Sequence, residues 1–557
     1  MSDTPLYASH LWPPVRRRAA DANAPTMDLL ESLGYVAKTD ATGVFTLLPL
    51  GLRVHDRLTR VARRAFEERG ANTVTFPTLQ SRTLWEQSSR WAAYQAEGAL
   101  LTVTSRSGEQ MCLAPTSEEI AAATVRDHLR SHRDLPVRLF LSTSKYRDEI
   151  APRGGLMRGR EFTMADAYTF DTTPEGMRTS VNLLNDACRA ALLGMGLTGV
   201  FQATADGGSI SAGPSTEHLI LGDTGQSTIL VCDHCGHRGD TAVLRAHPAP
   251  QNDPVVNVIV FALTRHDGSI APAAVAIRSD LQVSPRKLAA ATGAARVDLL
   301  DPAQLPELFG KEAGTLTPWD CTGTTTLFDT SVAHLDKFSI ADGATGLRRN
   351  AAWSGAAGLE ALSPTADDLH RAAQGMRCGH CEEGHYREAR AIELAHVFEL
   401  GTQYAAPMNL SFTDEHGTAR TPYMACSGIG ITRCLQTLAD LQRDKDGLRW
   451  KAGTGPADLH IVVLRPDLPA MRERTDHVVR HLRDRGAALF VDDRPETAGE
   501  KFRYANLLGI PHTLVLSPQQ EEDEVEFIDR WTSRTRRTPI SQIPDTRSLR
   551  QPIRIPV

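Results

Sequence analysis

The stretch KYRDEIAPRGGLMRGREFTMADAYTF, residues 145–170, constrains the fold more than any other part of the sequence. Two strand-like runs flank an arginine-rich segment with a Gly-Gly turn, which favours an antiparallel pair of strands joined by a loop. Because side chains alternate along a strand, Lys145, Arg147 and Glu149 are predicted to share one side of the first strand. Arg158 and Arg160 lie beyond the turn and can point back across it. The sequence therefore predicts a sheet that presents fixed positive charge.

Other segments divide the chain of 557 residues into about two to four expected domains. Residues 50–70 place apolar side chains at helical spacing and predict an amphipathic helix that ends at Gly70. The following NTVTFPTLQ predicts a strand, which Pro77 confines to an edge or an end. Residues 458–518 alternate strand-like and helical segments and predict a small α/β domain.

Composition limits the possible partners and compartments. The formal net charge of -6 excludes a generally basic surface, so any contact with nucleic acid must be local. The N-terminal residues lack the apolar core of a signal peptide, and no apolar run is long enough to span a bilayer. We therefore predict a cytoplasmic protein with no membrane partner.

The arginines suggest a phosphate site of an unusual kind. The sequence contains no GxxxxGK[ST] loop and no GxGxxG that opens a helix. Arginine forks bind phosphate oxygens in pairs and stay charged at any working pH. In SGIGITRCLQTL, Gly428 and Gly430 allow close backbone approach before a helix with Arg433 in its first turn. These elements could hold a bent triphosphate; the alternative is that the arginines pair with carboxylates on a solvated sheet face.

Taken together, several segments resemble the bacterial-type prolyl-tRNA synthetases, which are class II aminoacyl-tRNA synthetases. KYRDE with GLMRGREFTMADAYTF is similar to motif 2, MACSGIGITR to motif 3, and the helix and strand that end at Pro77 to motif 1. Further similarity lies in LPLGLRV, LAPTSEE, HVFELGTQY, DDRPETAGEKF and LLGIPH. The matching segments follow the order of the family over nearly all of the chain.

The resemblance implies an α+β class II synthetase catalytic domain, with an antiparallel sheet and helices, in residues 1–223 and 390–450. Residues 224–389 would form an inserted α/β editing-like domain flanked by two CxxC pairs. Residues 451–557 would form a C-terminal α/β anticodon-binding domain. Such an enzyme uses ATP and Mg²⁺ to activate proline, transfers it to tRNA(Pro), and forms a homodimer through motif 1.

The resemblance also implies roles for individual residues. Arg147, Arg158 and Arg433 would be catalytic through contacts with the phosphates. The residues implied for ATP are Arg147, Glu149, Arg158, Phe162, Gly428, Gly430 and Arg433. Those implied for proline are Thr116, Glu118, Arg147, Met164, Asp166 and Tyr168. A carboxylate near the proline nitrogen makes physical sense, because a buried ammonium group needs a counter-charge.

Some positions depart from the pattern of the family. The usual RPRFG is APRGG here, so Ala151 and Gly154 remove a charge and an aromatic ring. Ser427 replaces the tyrosine of CYG, and Ala165 replaces the lysine of MKD. These departures motivate an alternative, a specialised paralogue that activates proline or an analogue or confers resistance to an inhibitor. A second alternative is a catalytically silent regulator that binds tRNA.

Further implied sites lie in the insertion and the C-terminal domain. Lys287 falls at the position of the editing lysine, but Gly346-Leu347-Arg348 stands where the family has Gly-Lys-His, so we predict weakened or altered editing of Ala-tRNA. Glu393 is a candidate ligand for magnesium. The anticodon-binding residues implied by the resemblance are Asp492, Asp493, Arg494, Glu496 and Lys501. Such side chains can read single-stranded bases through hydrogen bonds to their edges.

The two CxxC pairs, Cys232/Cys235 and Cys378/Cys381, belong to a chain with nine cysteines. This usage suits a reducing compartment rather than a disulfide framework. Because the ends of an inserted domain meet near the host sheet, four thiolates could converge on a tetrahedral structural Zn²⁺. Reduced thiols without metal are the alternative.

Overall fold

The computed structural model describes residues 4–14, 21–208, 210–211, 213–265, 269–294, 296–321, 323–342, 346–355 and 359–543. The chain forms two compact units. The first unit comprises Met1–Val200 and Leu394–Val557, and the second comprises Phe201–Glu393. Within the described ranges, we find no helix that combines the length and the apolar character needed to cross a bilayer.

An antiparallel sheet lies at the centre of the first unit. Its middle strands, Val137–Tyr146 and Glu161–Asp171, pair in the predicted antiparallel sense, with Lys145 opposite Phe162. Tyr423–Gly430 continues the sheet, and Gly428 lies opposite Asp166. The end of the strand Tyr386–Gly401 pairs next, from Ala395 onward. Asn72–Thr73 forms the predicted edge strand on the other side.

Three helices pack against this sheet and against one another: Pro49–Glu67, Pro174–Gly194 and Ile431–Leu441. The first confirms the helix predicted for residues 50–70. It buries Val54, Leu58 and Phe66, as its helical spacing requires. The rings of Phe66 and Phe140 stack with their centroids 5.1 Å apart, which joins this helix to the sheet.

Short elements complete the catalytic part of the first unit. The α-helices are Thr26–Ser32, Arg82–Gln87, Arg90–Ala96 and Glu118–His128, and the 3-10 turns are Ala8–His10, His132–Asp134 and Gly155–Met157. The strands are Val36–Lys38, Phe45–Leu47, Leu79–Ser81, Leu101–Thr104, Gln110–Leu113, Phe412–Thr413, Ala419–Arg420, Arg443–Asp444 and Gly447–Leu448.

The C-terminal part of the first unit contains the predicted α/β alternation. Its sheet has the strand order Leu6–Tyr7, Leu489–Asp492, Leu459–Val463, His512–Leu516, Glu524–Asp529, Thr535–Pro539. The first four are parallel, and helices Pro469–Asp484 and Ala498–Leu508 connect the parallel strands. The 3-10 turn Ile540–Gln542 follows the last strand. Sequence reasoning missed that the strand from the N-terminus joins this sheet.

The second unit is built around a sheet in which Val255–Thr264 pairs antiparallel with Ile270–Arg278. Its other strands are Arg296–Leu299, Thr325–Asp329, Phe338–Asp342, Gly346–Ala351 and Ala366–Asp367. Its helical segments are Pro285–Thr292, Pro302–Gln304, Leu305–Phe309 and Pro318–Cys321. The remaining strands are Phe201–Asp206, Pro214–Leu221, Ser227–Cys232, Arg238–Gly239, Ala246–His247, Arg377–Cys378 and the start of Tyr386–Gly401.

Candidate active site

A buried cluster of polar side chains, termed the pocket, forms where the PTSEE loop meets the central sheet of the first unit. The Thr116 hydroxyl donates to Oε2 of Glu118 at 2.5 Å, and the Cys426 thiol donates to Oε1 at 3.4 Å. Glu118 begins the helix Glu118–His128, where the helix dipole favours a negative charge. Burial and the neighbouring Glu118 raise the pKa of Cys426 well above its usual value, so its sulfur stays a neutral donor.

A second hydrogen-bonded chain holds the floor of this pocket. The Tyr168 hydroxyl accepts from the Ser117 N–H at 2.9 Å and donates to Oδ2 of Asp166 at 2.8 Å. Lys145 Nζ lies 2.9 Å from the same Asp166 oxygen. Burial raises the pKa of Asp166, although Lys145 lowers it in part. Asp166 and Tyr168, both predicted to line the proline pocket, are therefore also tied to the loop that carries Thr116.

The buried Arg90, which the sequence reasoning missed, completes the pocket. Its Nη1 lies 3.2 Å from Oε2 of Glu118 and 3.0 Å from Oε1 of Glu119. Burial alone would raise the pKa of Glu118, but Arg90 and the Thr116 hydroxyl outweigh it and lower the pKa. Burial raises the pKa of Glu119 despite the same arginine. A signal was present, because SSRWAAY places a single arginine among aromatic residues in a short helical segment.

Four of the residues predicted to bind ATP come together on the hairpin of motif 2. The Arg147 guanidinium lies 5.3 Å from the centre of the Phe162 ring, and Arg158 Nε lies 2.7 Å from Oε2 of Glu149. The assigned strand ends at Tyr146, but the Arg147 N–H still donates to the Arg160 carbonyl oxygen at 2.9 Å, in the register of the two strands. The predicted alternation was wrong for Glu149, which belongs to the loop and whose N–H donates to the Arg147 carbonyl oxygen at 2.8 Å.

The third predicted arginine reaches the same loop from the helix of motif 3. Arg433 lies in the first turn of Ile431–Leu441, and its Nε donates to the Met157 carbonyl oxygen at 2.9 Å. Gly430 is the N-cap of this helix and lies opposite Met164 in the sheet. A Cβ at Gly428 would lie 2.8 Å from Sδ of Met164, so a side chain there would displace Met164.

Two of the departures from the family pattern lie away from the pocket wall. Ala165 and Ser427 alternate with Met164, Asp166 and Cys426, and therefore face the other side of the sheet. Ala165 is fully buried, and Ser427 is close enough to Cys188 to lower the pKa of that thiol, although burial raises it overall. Cys188 belongs to the helix Pro174–Gly194. These replacements thus alter the layer between sheet and helices.

The two CxxC pairs of the second unit converge. The sulfur atoms of Cys232, Cys235, Cys378 and Cys381 all lie within 4.8 Å of one another. The distances are 3.8 Å from Cys232 to Cys381 and 3.9 Å from Cys235 to Cys378. Four thiolates around Zn²⁺ at about 2.3 Å stand about 3.8 Å apart in a tetrahedron. The arrangement therefore fits a structural zinc site.

Lys287, predicted as the editing lysine, is held by neighbours in the second unit. Its Nζ donates to Oδ1 of Asp368 at 2.9 Å and to the His370 carbonyl oxygen at 2.7 Å. Burial lowers the pKa of Lys287, and Asp368 offsets this in part. Asp329 in turn accepts from the backbone N–H of His370 at 2.9 Å. Lys287 thus supports the packing of this segment.

The magnesium candidate Glu393 is the last residue of the second unit. Its carboxylate lies within 4.8 Å of that of Glu217, and both residues are half-buried. Magnesium prefers oxygen ligands, and one or two carboxylates usually suffice beside water and phosphate. The pair therefore has suitable donors for Mg²⁺.

The predicted anticodon residues divide into two groups. Asp492 and Lys501 are fully buried, so the structure contradicts direct contact with bases for these two. Arg494 Nη2 lies 2.6 Å from Oδ2 of Asp492, and Lys501 Nζ donates to the Asp492 carbonyl oxygen at 3.3 Å. Asp492 is the last residue of the strand Leu489–Asp492. Asp492 and Lys501 therefore fix the start of the following loop from inside the domain. Asp493, Arg494 and Glu496 are half-buried and remain the predicted readers.

Comparisons with known proteins show which families the parts of the chain match. The family model "tRNA synthetase class II core domain (G, H, P, S and T)" matches residues 101–441, and the model "Anticodon binding domain" matches residues 458–547. A proline–tRNA ligase of Desulfovibrio desulfuricans is 33% identical over 92% of this chain and 92% of that protein. A proline–tRNA ligase of Parasynechococcus marenigrum is 30% identical over 93% of this chain and 95% of that protein.

The fold is also found among solved structures. Prolyl-tRNA synthetase of Cryptosporidium parvum, solved with halofuginone and AMPPNP, aligns with a TM-score of 0.58 and 14% identity. The alignment covers 96% of this chain and 79% of that one. Together, the two matched domains and the near full-length relatives place the chain in the prolyl-tRNA synthetase family of class II aminoacyl-tRNA synthetases.

Proposed function

We propose that this protein activates proline with ATP to form prolyl-adenylate and then transfers proline to tRNA(Pro). The observation that carries the proposal is the buried carboxylate of Glu118. Burial would raise its pKa, but Arg90 at 3.2 Å and the Thr116 hydroxyl at 2.5 Å lower it. The ring ammonium of proline would bind beside Thr116 and Glu118, because a buried ammonium group needs a counter-charge.

The first step requires positioning rather than a protein nucleophile. An oxygen of the proline carboxylate attacks the α-phosphorus of ATP, and the bond from that phosphorus to the bridging oxygen of pyrophosphate breaks. Arg147 would orient the two reacting groups and stabilise the charge that develops on the α-phosphate. Phe162 would stack on adenine, and Glu149 would accept from its amino group. Both lie beside the arginines of the same hairpin.

The distal phosphates would lie against Arg158 and Arg433. Both arginines flank the 3-10 turn Gly155–Met157, and Arg433 already contacts its last carbonyl group. Mg²⁺ would neutralise part of the negative charge of the triphosphate. Within the second unit, Glu393 and Glu217 are candidate ligands for magnesium. In the second step, the terminal ribose hydroxyl of tRNA attacks the activated carbonyl carbon and AMP leaves.

The remaining assignments extend this proposal to the whole chain. The second unit would contain the inserted editing-like domain, and its four cysteines would hold a structural zinc ion. Because Lys287 is engaged by Asp368 and His370, we expect little hydrolysis of Ala-tRNA. Residues 458–547 would bind the anticodon, with Asp493, Arg494 and Glu496 as readers. A cytoplasmic homodimer formed through motif 1 completes the assignment.

Amino-acid-dependent exchange of labelled pyrophosphate into ATP tests the proposal. We expect strong exchange with proline and much weaker exchange with alanine, cysteine and four- and six-membered ring analogues. Exchange with an analogue but not with proline would show a specialised paralogue instead. No exchange with any of these compounds would favour the non-catalytic regulator. Substitution Arg147→Ala in parallel excludes a contaminating synthetase, because that variant should lose the exchange.

A further inference from the structure

Arg90 is the one buried cation within salt-bridge distance of Glu118 or Glu119 among the residues that the structure describes. Its Nη1 lies 3.2 Å from Glu118 Oε2 and contacts both oxygens of Glu119, at 3.0 and 3.2 Å. Lys145, the other buried cation of the pocket, is paired with Asp166. Two adjacent buried carboxylates therefore share one guanidinium.

The position of Arg90 is fixed on its other sides by aromatic rings. Its guanidinium lies 4.3 Å from the ring centre of Tyr94, 5.1 Å from that of Trp85 and 5.2 Å from that of Tyr404. The side chain also donates to the Tyr94 hydroxyl. The face of an aromatic ring attracts a cation but, unlike a carboxylate, carries no net charge that would neutralise it. Arg90 is thus held in its orientation by the protein itself.

The two carboxylates play different parts around this arginine. Glu119 is fully buried, takes two of the contacts from Arg90 and accepts from the Ser88 hydroxyl at 2.7 Å. Glu118 takes one contact from Arg90, and its oxygens otherwise face the Thr116 hydroxyl and the Cys426 thiol. Glu119 therefore anchors Arg90, while Glu118 is the carboxylate on the side of Thr116.

We propose that Arg90 is a positioning residue for amino-acid recognition: it keeps Glu118 ionised and directs its carboxylate toward the amino group of the substrate. The inference rests on the proposed function, in which Glu118 and Thr116 bind that amino group. Burial without Arg90 would favour the protonated form of Glu118. A neutral Glu118 would bind a cationic amino group poorly, while the affinity for ATP would stay unchanged.

The test compares Arg90→Met and Arg90→Lys with the matched control Arg82→Met in proline-dependent pyrophosphate exchange. Arg82 is an exposed neighbour that lies 5.6 Å from the Trp91 ring centre and pairs with Glu86 at 2.6 Å. Because one partner of a buried ion pair is removed, we expect Arg90→Met to raise the KM for proline about 100-fold. The KM for ATP should stay within about twofold of the wild-type value. Arg90→Lys should recover part of the loss.

A pH profile separates positioning from structural support. With Arg90→Met, kcat/KM for proline should rise steadily as the pH increases from 6 to 9, because Glu118 must then lose its proton without help. A wild-type profile in that variant, or equal increases in both KM values, would overturn the inference. If Arg90→Met does not fold, Arg90→Lys serves as the test. We then expect a smaller increase in the KM for proline and a weaker rise of kcat/KM with pH. Wild-type protein without exchange would instead refute the proposed function itself.

Discussion

The substitution Glu118→Gln tests the recognition of the amino group with a minimal change in shape. The amide keeps one carbonyl oxygen for the Thr116 hydroxyl and for Arg90, which now share Oε2 at 2.5 and 3.2 Å. Its NH₂ group would face the Cys426 sulfur, a weak acceptor at the present 3.4 Å. The packing should therefore survive, and the main loss is the negative charge opposite the substrate ammonium.

The expected magnitude follows from that loss. A hydrogen bond to a charged group contributes about 1.5–3 kcal/mol, against about 0.5–1.5 for a neutral one. A partly screened ion pair at 4 Å adds about 4 kcal/mol of attraction before desolvation is subtracted. We take about 3 kcal/mol as the net loss, which corresponds to about a 100-fold decrease in kcat/KM for proline.

The assay is pyrophosphate exchange at varied proline and varied ATP, with Glu86→Gln as the matched control. This control makes the same exchange of carboxylate for amide at an exposed position, where Glu86 pairs with Arg82 at 2.6 Å. We expect Glu86→Gln to change kcat/KM for proline by less than about twofold, because exposed ion pairs contribute little. Equal losses in both variants, or a loss of ATP affinity in Glu118→Gln, would refute the reasoning.

Further predictions concern the other parts of the chain. Cys378→Ser should lower bound zinc from one equivalent to near none by elemental analysis and reduce the melting temperature of the second unit, while proline exchange persists; a zinc-free wild type purified with added zinc would contradict this. Burial lowers the pKa of His460 to about 4, so the unfolded chain takes up its proton first as pH falls. The stability of the C-terminal domain should therefore decrease from about pH 6.5 to about 4, by an amount on the order of 3 kcal/mol. His460→Leu should flatten this slope in denaturant titrations, and an unchanged slope would oppose the assignment. Lys287→Ala should leave the slow hydrolysis of Ala-tRNA unchanged and destabilise the second unit in thermal scans; a large loss of hydrolysis would support the editing role predicted for Lys287.

The sequence predicted local elements well where periodicity and turn residues agree. The helix Pro49–Glu67, the antiparallel motif 2 strands and the C-terminal α/β alternation are confirmed. In each of these elements, the apolar residues recur with the period of the helix or strand within a short segment of sequence. The prediction failed at Glu149, because alternation cannot show where the chain leaves the hydrogen-bond ladder of the sheet.

Contacts between distant segments could not be predicted from local patterns. Leu6–Tyr7 pairs with Phe490 and Val491, and the Ser9 hydroxyl donates to Asp493 at 2.6 Å, across more than 480 positions of sequence. Arg90 was missed for the same reason, since its carboxylates lie 28 and 29 positions away. Its role depends on tertiary packing rather than on its own helix.

Aminoacylation of tRNA(Pro) with labelled proline is the measurement that tests the central claim most directly. Wild-type protein, ATP and Mg²⁺ would be incubated with a tRNA(Pro) transcript, with a tRNA(Ala) transcript and the Arg147→Ala variant as controls. The account predicts proline attached to tRNA(Pro) alone, and only by the wild-type protein. No charging of tRNA(Pro) by protein that is folded and binds ATP would contradict it.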